Sequence, residues 1–143
     1  MSTLTSANSA LSLQITDLYP VPQAIQGYAT DDMFSVADIA TAEVLMGVDG
    51  KLSGGYTPVP KVFEIGLQAD SPSNEIFEIW MNAQDAKTDL YIANATILLR
   101  STGRSYALTR GILTMASPMP AAKKILQLRK FQITFESISS AVV

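Results

Sequence analysis

From residue 61 to 69 apolar and polar positions alternate. Phe63, Ile65, Leu67 and Ala69 fall on one parity, and Val62, Glu64, Gly66 and Gln68 on the other. A period of two marks a strand with one face buried. Asp70-Ser71-Pro72-Ser73-Asn74 then ends the strand and opens a helix. Ser71 is a capping residue type, Pro72 suits the first helical position, and Glu75 and Glu78 sit where the helix dipole favours negative charge. Ile76, Ile79, Trp80 and Ala83 recur at helical spacing, which puts the only Trp of the chain on the buried stripe. The pattern predicts one helix, over residues 72–85, packed on sheet, with Phe63, Ile65, Leu67, Ile76 and Trp80 as structural core.

The rest of the chain carries strand and turn signals. Residues 1–10 are small and polar and read as a flexible N-terminal arm; residues 11–143 read as a single β domain. Leu11, Leu13 and Ile15 alternate with Ser12, Gln14 and Thr16, and Tyr19-Pro20-Val21-Pro22 interrupts that strand, because neither proline can donate to a ladder. Pairing resumes over residues 25–36 and again over 41–48. Asp49-Gly50 is the strongest hairpin signal present, two residues tolerant of positive φ between extended segments. Its return limb, Lys51-Leu52-Ser53-Gly54-Gly55-Tyr56-Thr57, is glycine-rich and weakly apolar, so it specifies register poorly. A long hairpin at residues 44–58 is therefore expected to project from the body, mobile until bound.

Beyond the helix, residues 90–100 and 105–114 flank a second turn at Ser101-Thr102-Gly103-Arg104, and Ser117-Pro118-Met119-Pro120 reads as a rigid loop. The final strand, 125–137, contains a phase slip. Leu126 and Leu128 occupy one parity, Phe131, Ile133 and Phe135 the other. Either a bulge near Arg129-Lys130 restores a common face, or the strand changes partners halfway. Seven or eight strands alternating with turns imply antiparallel pairing. The fold class is mainly β: an antiparallel β-sandwich or barrel with one flanking helix.

Composition narrows the chemistry. The 143 residues are 48% hydrophobic and 16% charged, which suits one ordered domain. There is no Cys, hence no disulfide or Cys-based metal site, and no His, which excludes Ser-His-Asp and Cys-His catalysis. The adjacent Asp31-Asp32 would point to opposite faces of a strand, so they read as solvated or turn residues rather than a catalytic pair. Asp85 and Asp89 lie at the helix exit, and no acids are spaced as calcium-loop ligands. Gly54-Gly55 lacks the lysine and helix of a phosphate loop. Lys123-Lys124 and Arg129-Lys130 lack interleaved aromatics and read as ion-pairing or interface positions. Neither enzyme, cofactor nor metal is expected. The N-terminus lacks the basic and apolar regions of a signal peptide, and no apolar run is long enough for a membrane anchor, so the expected place of synthesis is the cytoplasm.

Charge is unevenly distributed. Residues 1–89 carry twelve acids and three lysines, a net of −9; residues 90–143 carry seven basic groups and Glu136, a net of +6. Either the halves interleave and neutralise each other within one sheet, or oppositely charged surfaces of neighbouring subunits meet.

Gly47-Val48-Asp49-Gly50-Lys51, the glycine-containing limb, and then Phe63-Glu64-Ile65-Gly66-Leu67-Gln68-Ala69-Asp70-Ser71-Pro72-Ser73-Asn74-Glu75 resemble, in order and spacing, tail tube proteins of long-tailed bacteriophages. The resemblance runs over residues 25–137, and the stretch through Pro22 has no matched counterpart. It implies a fold shared with the tube-forming protein of type VI secretion. It also implies hexameric rings stacked head to tail around a channel for DNA, in a virion tail assembled in the host cytoplasm. The partners it implies are further copies of the chain, with a tail sheath and other tail proteins beside them, and DNA that passes without specific binding. Asp49, Gly50 and Lys51 would then mark the tip of an inter-ring hairpin whose limb includes Gly54 and Gly55. An acidic lining would repel DNA phosphates, and Asp31, Asp32, Asp38 and Glu43, expected on the strands before the hairpin, are its candidates. The alternatives are a monomeric β-barrel hosting a small molecule in its apolar interior, or a related secretion-tube or tail-connector component.

Overall fold

The computed structural model describes residues 9–25, 34–100, 102–119 and 122–142. In chain order the described elements are β1 (Ser9–Ile15), β2 (Tyr19–Ala24), β3 (Phe34–Val36), β4 (Ala42–Met46), β5 (Leu52–Tyr56), β6 (Lys61–Leu67), α1 (Asn74–Lys87), β7 (Ala93–Leu99), β8 (Arg104–Ala116) and β9 (Arg129–Val142). Seven strands form one antiparallel sheet, ordered β2-β1-β7-β8-β9-β6-β3, while β4 and β5 pair as a separate ribbon. The described residues are mainly β with one helix, as the alternating pattern requires.

One face of the sheet is apolar along its length. Leu11, Leu13 and Ile15 of β1, Ala93, Ala95 and Ile97 of β7, Phe131, Ile133 and Phe135 of β9, and Phe63, Ile65 and Leu67 of β6 all enter a single core. The sheet bends over that core: β3 and β7, separated by three strands, line the same concavity. Helix α1 fills the other end with Ile76, Phe77 and Trp80. Phe77 stacks on Phe131 at 4.3 Å between centroids, with the rings 12° apart. The five expected core residues, Phe63, Ile65, Leu67, Ile76 and Trp80, are all buried.

The helix begins two residues later than its start signal suggests. Ser73 donates its backbone N–H to Ser71 Oγ at 3.2 Å, so Ser71, Pro72 and Ser73 form the turn leading in, with Ser73 as N-cap. Asn74, buried, donates from Nδ2 to the carbonyls of Gln68 (2.8 Å) and Ala69 (3.2 Å), tying the first turn back to the end of β6. Phe77 occupies the buried position expected of Ile79, which is 38% exposed. The sheet meets the helix along Ile76, Phe77 and Trp80, a stripe rotated from the one the spacing picks out.

Two strand expectations also need correction. Pro20 and Pro22 do not break the sheet: they lie in β2, the edge strand, which needs ladder donors on one side only. Residues 125–128 are not strand. Ile125, Leu126 and Leu128 are exposed and precede β9, so no bulge at Arg129-Lys130 is needed. The β8–β9 irregularity lies instead between Leu113 and Met115, on β8. β9 pairs with β6 up to Phe135 and with β8 through Val142, so it loses one partner halfway without acquiring another. Of the expected arm, residues 1–8 lie outside the described residues, and Ser9 and Ala10 already pair with Leu99 and Leu98.

Arg129 fastens helix to sheet. It is 3% exposed, ion-paired through Nη1 to Glu78 Oε1 at 2.6 Å, and donates from Nη2 to the Ser117 carbonyl at 2.7 Å. Its guanidinium also lies 5.4 Å from the centroid of the Phe131 ring. One buried cation thus joins α1, the loop after β8 and the start of β9.

Candidate assembly surface

The β4–β5 ribbon is built in strict register. Ala42 pairs with Tyr56, Glu43 with Gly55, Val44 with Gly54, Leu45 with Ser53 and Met46 with Leu52. The tip closes through Gly47 N–H to the Lys51 carbonyl (2.8 Å) and Gly50 N–H to the Gly47 carbonyl (2.9 Å). Asp49 Oδ1 accepts the Lys51 N–H at 3.2 Å, and Gly50 takes φ 84°, a conformation costly for any residue with a Cβ. Asp49, Gly50 and Lys51 therefore form the tip, as the sequence indicates. Gly54 and Gly55 lie within β5, nearer the base. At the root, Thr57 N–H bonds the Thr41 carbonyl at 2.7 Å, and Pro58 and Pro60 lead into β6.

Directly paired residues share a face of a ladder. Ala42, Val44, Met46, Leu52 and Tyr56 thus form one apolar face, and Glu43, Leu45, Ser53 and Gly55 the other. The return limb is not weakly apolar in effect: Leu52 and Tyr56 land opposite Met46 and Ala42, and those pairs define the register. Val44, Met46, Leu52 and Tyr56 are 62–74% exposed, and Val48 stands fully out at the tip. Among the described residues the ribbon pairs only with itself. Isolated two-stranded ribbons are marginal in water, and a contiguous apolar face on one marks a contact surface.

The acidic candidates do not share a strand. Asp31 and Asp32 lie outside the described residues. β3 ends at Val36, so Asp38 sits in the exposed connection to β4, and Glu43 belongs to β4 itself, within the hairpin rather than before it. Glu43 occupies the ribbon face opposite the apolar one.

At the foot of the ribbon the bent sheet leaves an open apolar groove of about 420 Å³. Phe34, Val36 and Ile39 line it on the β3 side, Leu99, Tyr106 and Leu108 on the side of β7 and β8, and Phe63 and Ile138 on β6 and β9, the strands between. Among the described residues, Lys61 is its charged lining residue and no acidic side chain lines it. The sequence pattern hid this groove because its walls come from strands far apart in the chain. A second, polar concavity lies near the helix C-terminus, where Asp17 and Asp89 interleave with Lys87 and Arg110, leaving no net charge to select a ligand. Among the described residues, no group of three or more acidic side chains could hold a metal ion, and no helix is long and apolar enough to cross a membrane.

The sequence matches the family described as tail fiber protein gp32 over residues 2–139. No curated protein matches it. Among solved structures, the anti-feeding prophage cap, a tube-terminating cap, superposes with a TM-score of 0.68 at 10% identity, covering 100% of this chain and 93% of that one. The sheath/tube terminator of the PVC extracellular contractile injection system gives 0.64 at 11% identity, covering 92% and 93%. The PVC sheath–tube complex gives 0.63 at 12%, covering 93% and 88%. At such identities the likeness is one of fold.

Proposed function

Since the chain belongs to the tail fiber protein gp32 family, we propose that it is a tube-forming subunit of a virion tail, self-assembling into hexameric rings stacked head to tail. Its family and fold mark it as a tail-type structural component. The observation that carries the finer reading is the β4–β5 ribbon, which stands off the sheet with Val44, Met46, Leu52 and Tyr56 exposed on one face. A monomer gains nothing from such a surface, whereas a stacked assembly buries it in the adjacent ring. Head-to-tail contacts are heterologous, so axial stacking does not close and a tube results. In this reading DNA passes along the channel without specific binding, a sheath and other tail proteins surround the tube, and assembly takes place in the host cytoplasm.

An acidic lumen at Asp31, Asp32, Asp38 and Glu43 would keep DNA from adhering. Reversing Asp31 and Asp32 to lysine should slow ejection, and unchanged ejection would remove them from the lining. Negative-stain microscopy at high protein concentration tests the assembly itself: rings or tubes are expected. Removing residues 50–55 should leave the body folded and abolish tubes. Persistent monomers of the intact chain, or tubes that survive the deletion, would overturn the proposal. The apolar groove favours one competing reading, a monomer binding a small hydrophobic molecule, since its volume falls within the usual range of ligand pockets, about 300–1,000 Å³. That protein would keep its activity without the hairpin.

A further inference from the structure

We infer that β2 is a guard strand: its prolines and the bulge around them close this edge of the sheet to any further β-strand, including one from a second copy of this chain. The inference stands apart from the tube-subunit reading, because it holds for a monomer as for a ring.

The ladder fixes which backbone groups of β2 face outward. Ala24 pairs with Ser12 and Gln23 with Leu13, which sets Ile25 opposite Leu11, and the Ile25 N–H donates to the Leu11 carbonyl at 2.9 Å. Successive residues of an antiparallel strand turn their backbone groups alternately toward and away from the partner. Ile25 and Gln23 therefore address β1, while Ala24 and Pro22 present theirs to the open side. An added strand needs an outward N–H at every second residue, and the ring nitrogen of Pro22 has none to give.

Beyond Pro22 the edge is disabled in a second way. Between the pairs Leu13–Gln23 and Ile15–Tyr19, β1 has one residue, Gln14, and β2 has three, Pro20, Val21 and Pro22. This bulge breaks the spacing that a straight partner strand would meet. Side-chain amides occupy its acceptors: Gln14 donates from Nε2 to the Pro20 carbonyl at 2.7 Å, and Gln23 from Nε2 to the Val21 carbonyl at 2.9 Å. Pro20 brings no N–H either. On the parity of Pro22, the outward donor that remains is Ala24, and a single donor makes no ladder.

The edge needs such protection. Pro20, Val21 and Pro22 are exposed, Val21 at 67%, and β2 contains no charged residue. Natural edges are blunted by charge, shortness, bulges or proline. Charge is absent here and six residues is an ordinary strand length, which leaves proline and bulge to carry the protection.

Single-residue hydrogen exchange on the unaltered chain, dilute and concentrated, gives the first test. The Ala24 amide should exchange freely in both samples, while that of Gln23, facing β1, stays protected. Protection of Ala24 equal to that of Gln23 would show a strand paired on the outer edge and overturn the inference. The second test restores the donors with Pro20→Val and Pro22→Val together. By sedimentation velocity this variant should associate at a concentration at least about tenfold lower than the unaltered chain, with Ala24 now protected. Val21→Ile with both prolines kept adds apolar surface without a donor and should sediment as the unaltered chain does. Adding Val21→Lys to the double variant places a charge on the edge and should return it to monomer. A folded double variant that associates no more readily than the unaltered chain, or equal association of Val21→Ile, would overturn the inference. If the double variant fails to fold, Ala24 exchange in the unaltered chain decides. None of these outcomes bears on whether the unaltered chain forms tubes.

Discussion

Replacing Met46 and Leu52 together by serine separates assembly from folding. The two residues pair directly across the ribbon and are 62% and 63% exposed, so the isolated subunit has little to lose from their removal. Exposed substitutions away from special backbone sites usually change stability by less than about 0.5 kcal/mol. In an assembly the same side chains become covered. Complete burial of such a side chain contributes about 1.5–3 kcal/mol; scaled by the roughly 60% still exposed, each is worth about 1–2 kcal/mol, and the pair about 2–4 kcal/mol per contact. At about 1.4 kcal/mol per factor of ten, the threshold concentration for tubes should rise roughly thirty- to several-hundred-fold. Sedimentation across a concentration series measures that threshold, and circular dichroism melting checks the monomer. Leu45→Ser, on the other ribbon face and 74% exposed, is the matched control and should have the smaller effect. An unchanged threshold, or Leu45→Ser as damaging as the pair, would refute the assignment of the apolar face.

Other substitutions test the body. Gly111 of β8 pairs with Phe135 of β9, and an added Cβ would come within 2.6 Å of Phe135 Cδ1 and 2.8 Å of Ile133 Cγ2, both on buried side chains. Gly111→Ala should therefore cost about 1–3 kcal/mol by overpacking, read as a lower urea midpoint at unchanged slope. Trp80→Ala should cost about 3–5 kcal/mol as a core truncation, measured in the same way, and should remove folding before it removes any contact between copies. Glu78→Gln takes the carboxylate from buried Arg129. Because Glu78 is itself nearly half exposed and water can partly replace it, the loss should be about 1–3 kcal/mol; an unchanged melt would show that Ser117 and Phe131 hold the guanidinium unaided. Gly55→Ala meets nothing within 4 Å and should leave the monomer untouched, so a fall in tube yield with that variant would show that a neighbour approaches the ribbon there.

The sequence disclosed what depends on local periodicity and concealed what depends on pairing. Phe63, Ile65 and Leu67 alternate because one face of β6 is buried, and Asp49-Gly50 reads as a tip because few residue pairs tolerate its backbone. Ile79 misled, since a helical stripe can rotate by one residue with no change in spacing, and only contact with Phe131 shows that Phe77 is the buried member. Leu126 and Leu128 misled because apolar residues outside a strand mimic a phase slip inside one. The apolar face of the hairpin was hidden for a different reason. Leu52 and Tyr56 look isolated among Ser53, Gly54 and Gly55 until the ladder sets them opposite Met46 and Ala42. Pro20 and Pro22 show the converse: a residue hostile to sheets in general is compatible with an edge, and which strand is an edge is a property of the whole topology.

The charge split resolves along the same line. β6 comes from the acidic part of the chain and β9 from the basic part, and the sheet sets them side by side, where Lys130 meets Glu64 at 3.6 Å and Arg129 meets Glu78 of the neighbouring helix at 2.6 Å. Arg110 finds Glu136 at 2.9 Å within the basic part. Two acids of the first part and two basic groups of the second are therefore paired inside one subunit. Asp38, Glu43 and Asp49, on the hairpin and its root, stand apart from these pairs, as does Lys61 in the lining of the groove. Exposed ion pairs stabilise a fold by little, so charges held off the body affect assembly chiefly through encounter and register. Raising the salt concentration should accordingly slow tube growth more than it lowers the melting temperature of the subunit, because screening acts on exposed charges across the contact and spares the buried Arg129 pair. If salt slowed growth no more than it destabilised the monomer, the hairpin charges would have no part in docking, and burial of its apolar face alone would have to account for the assembly.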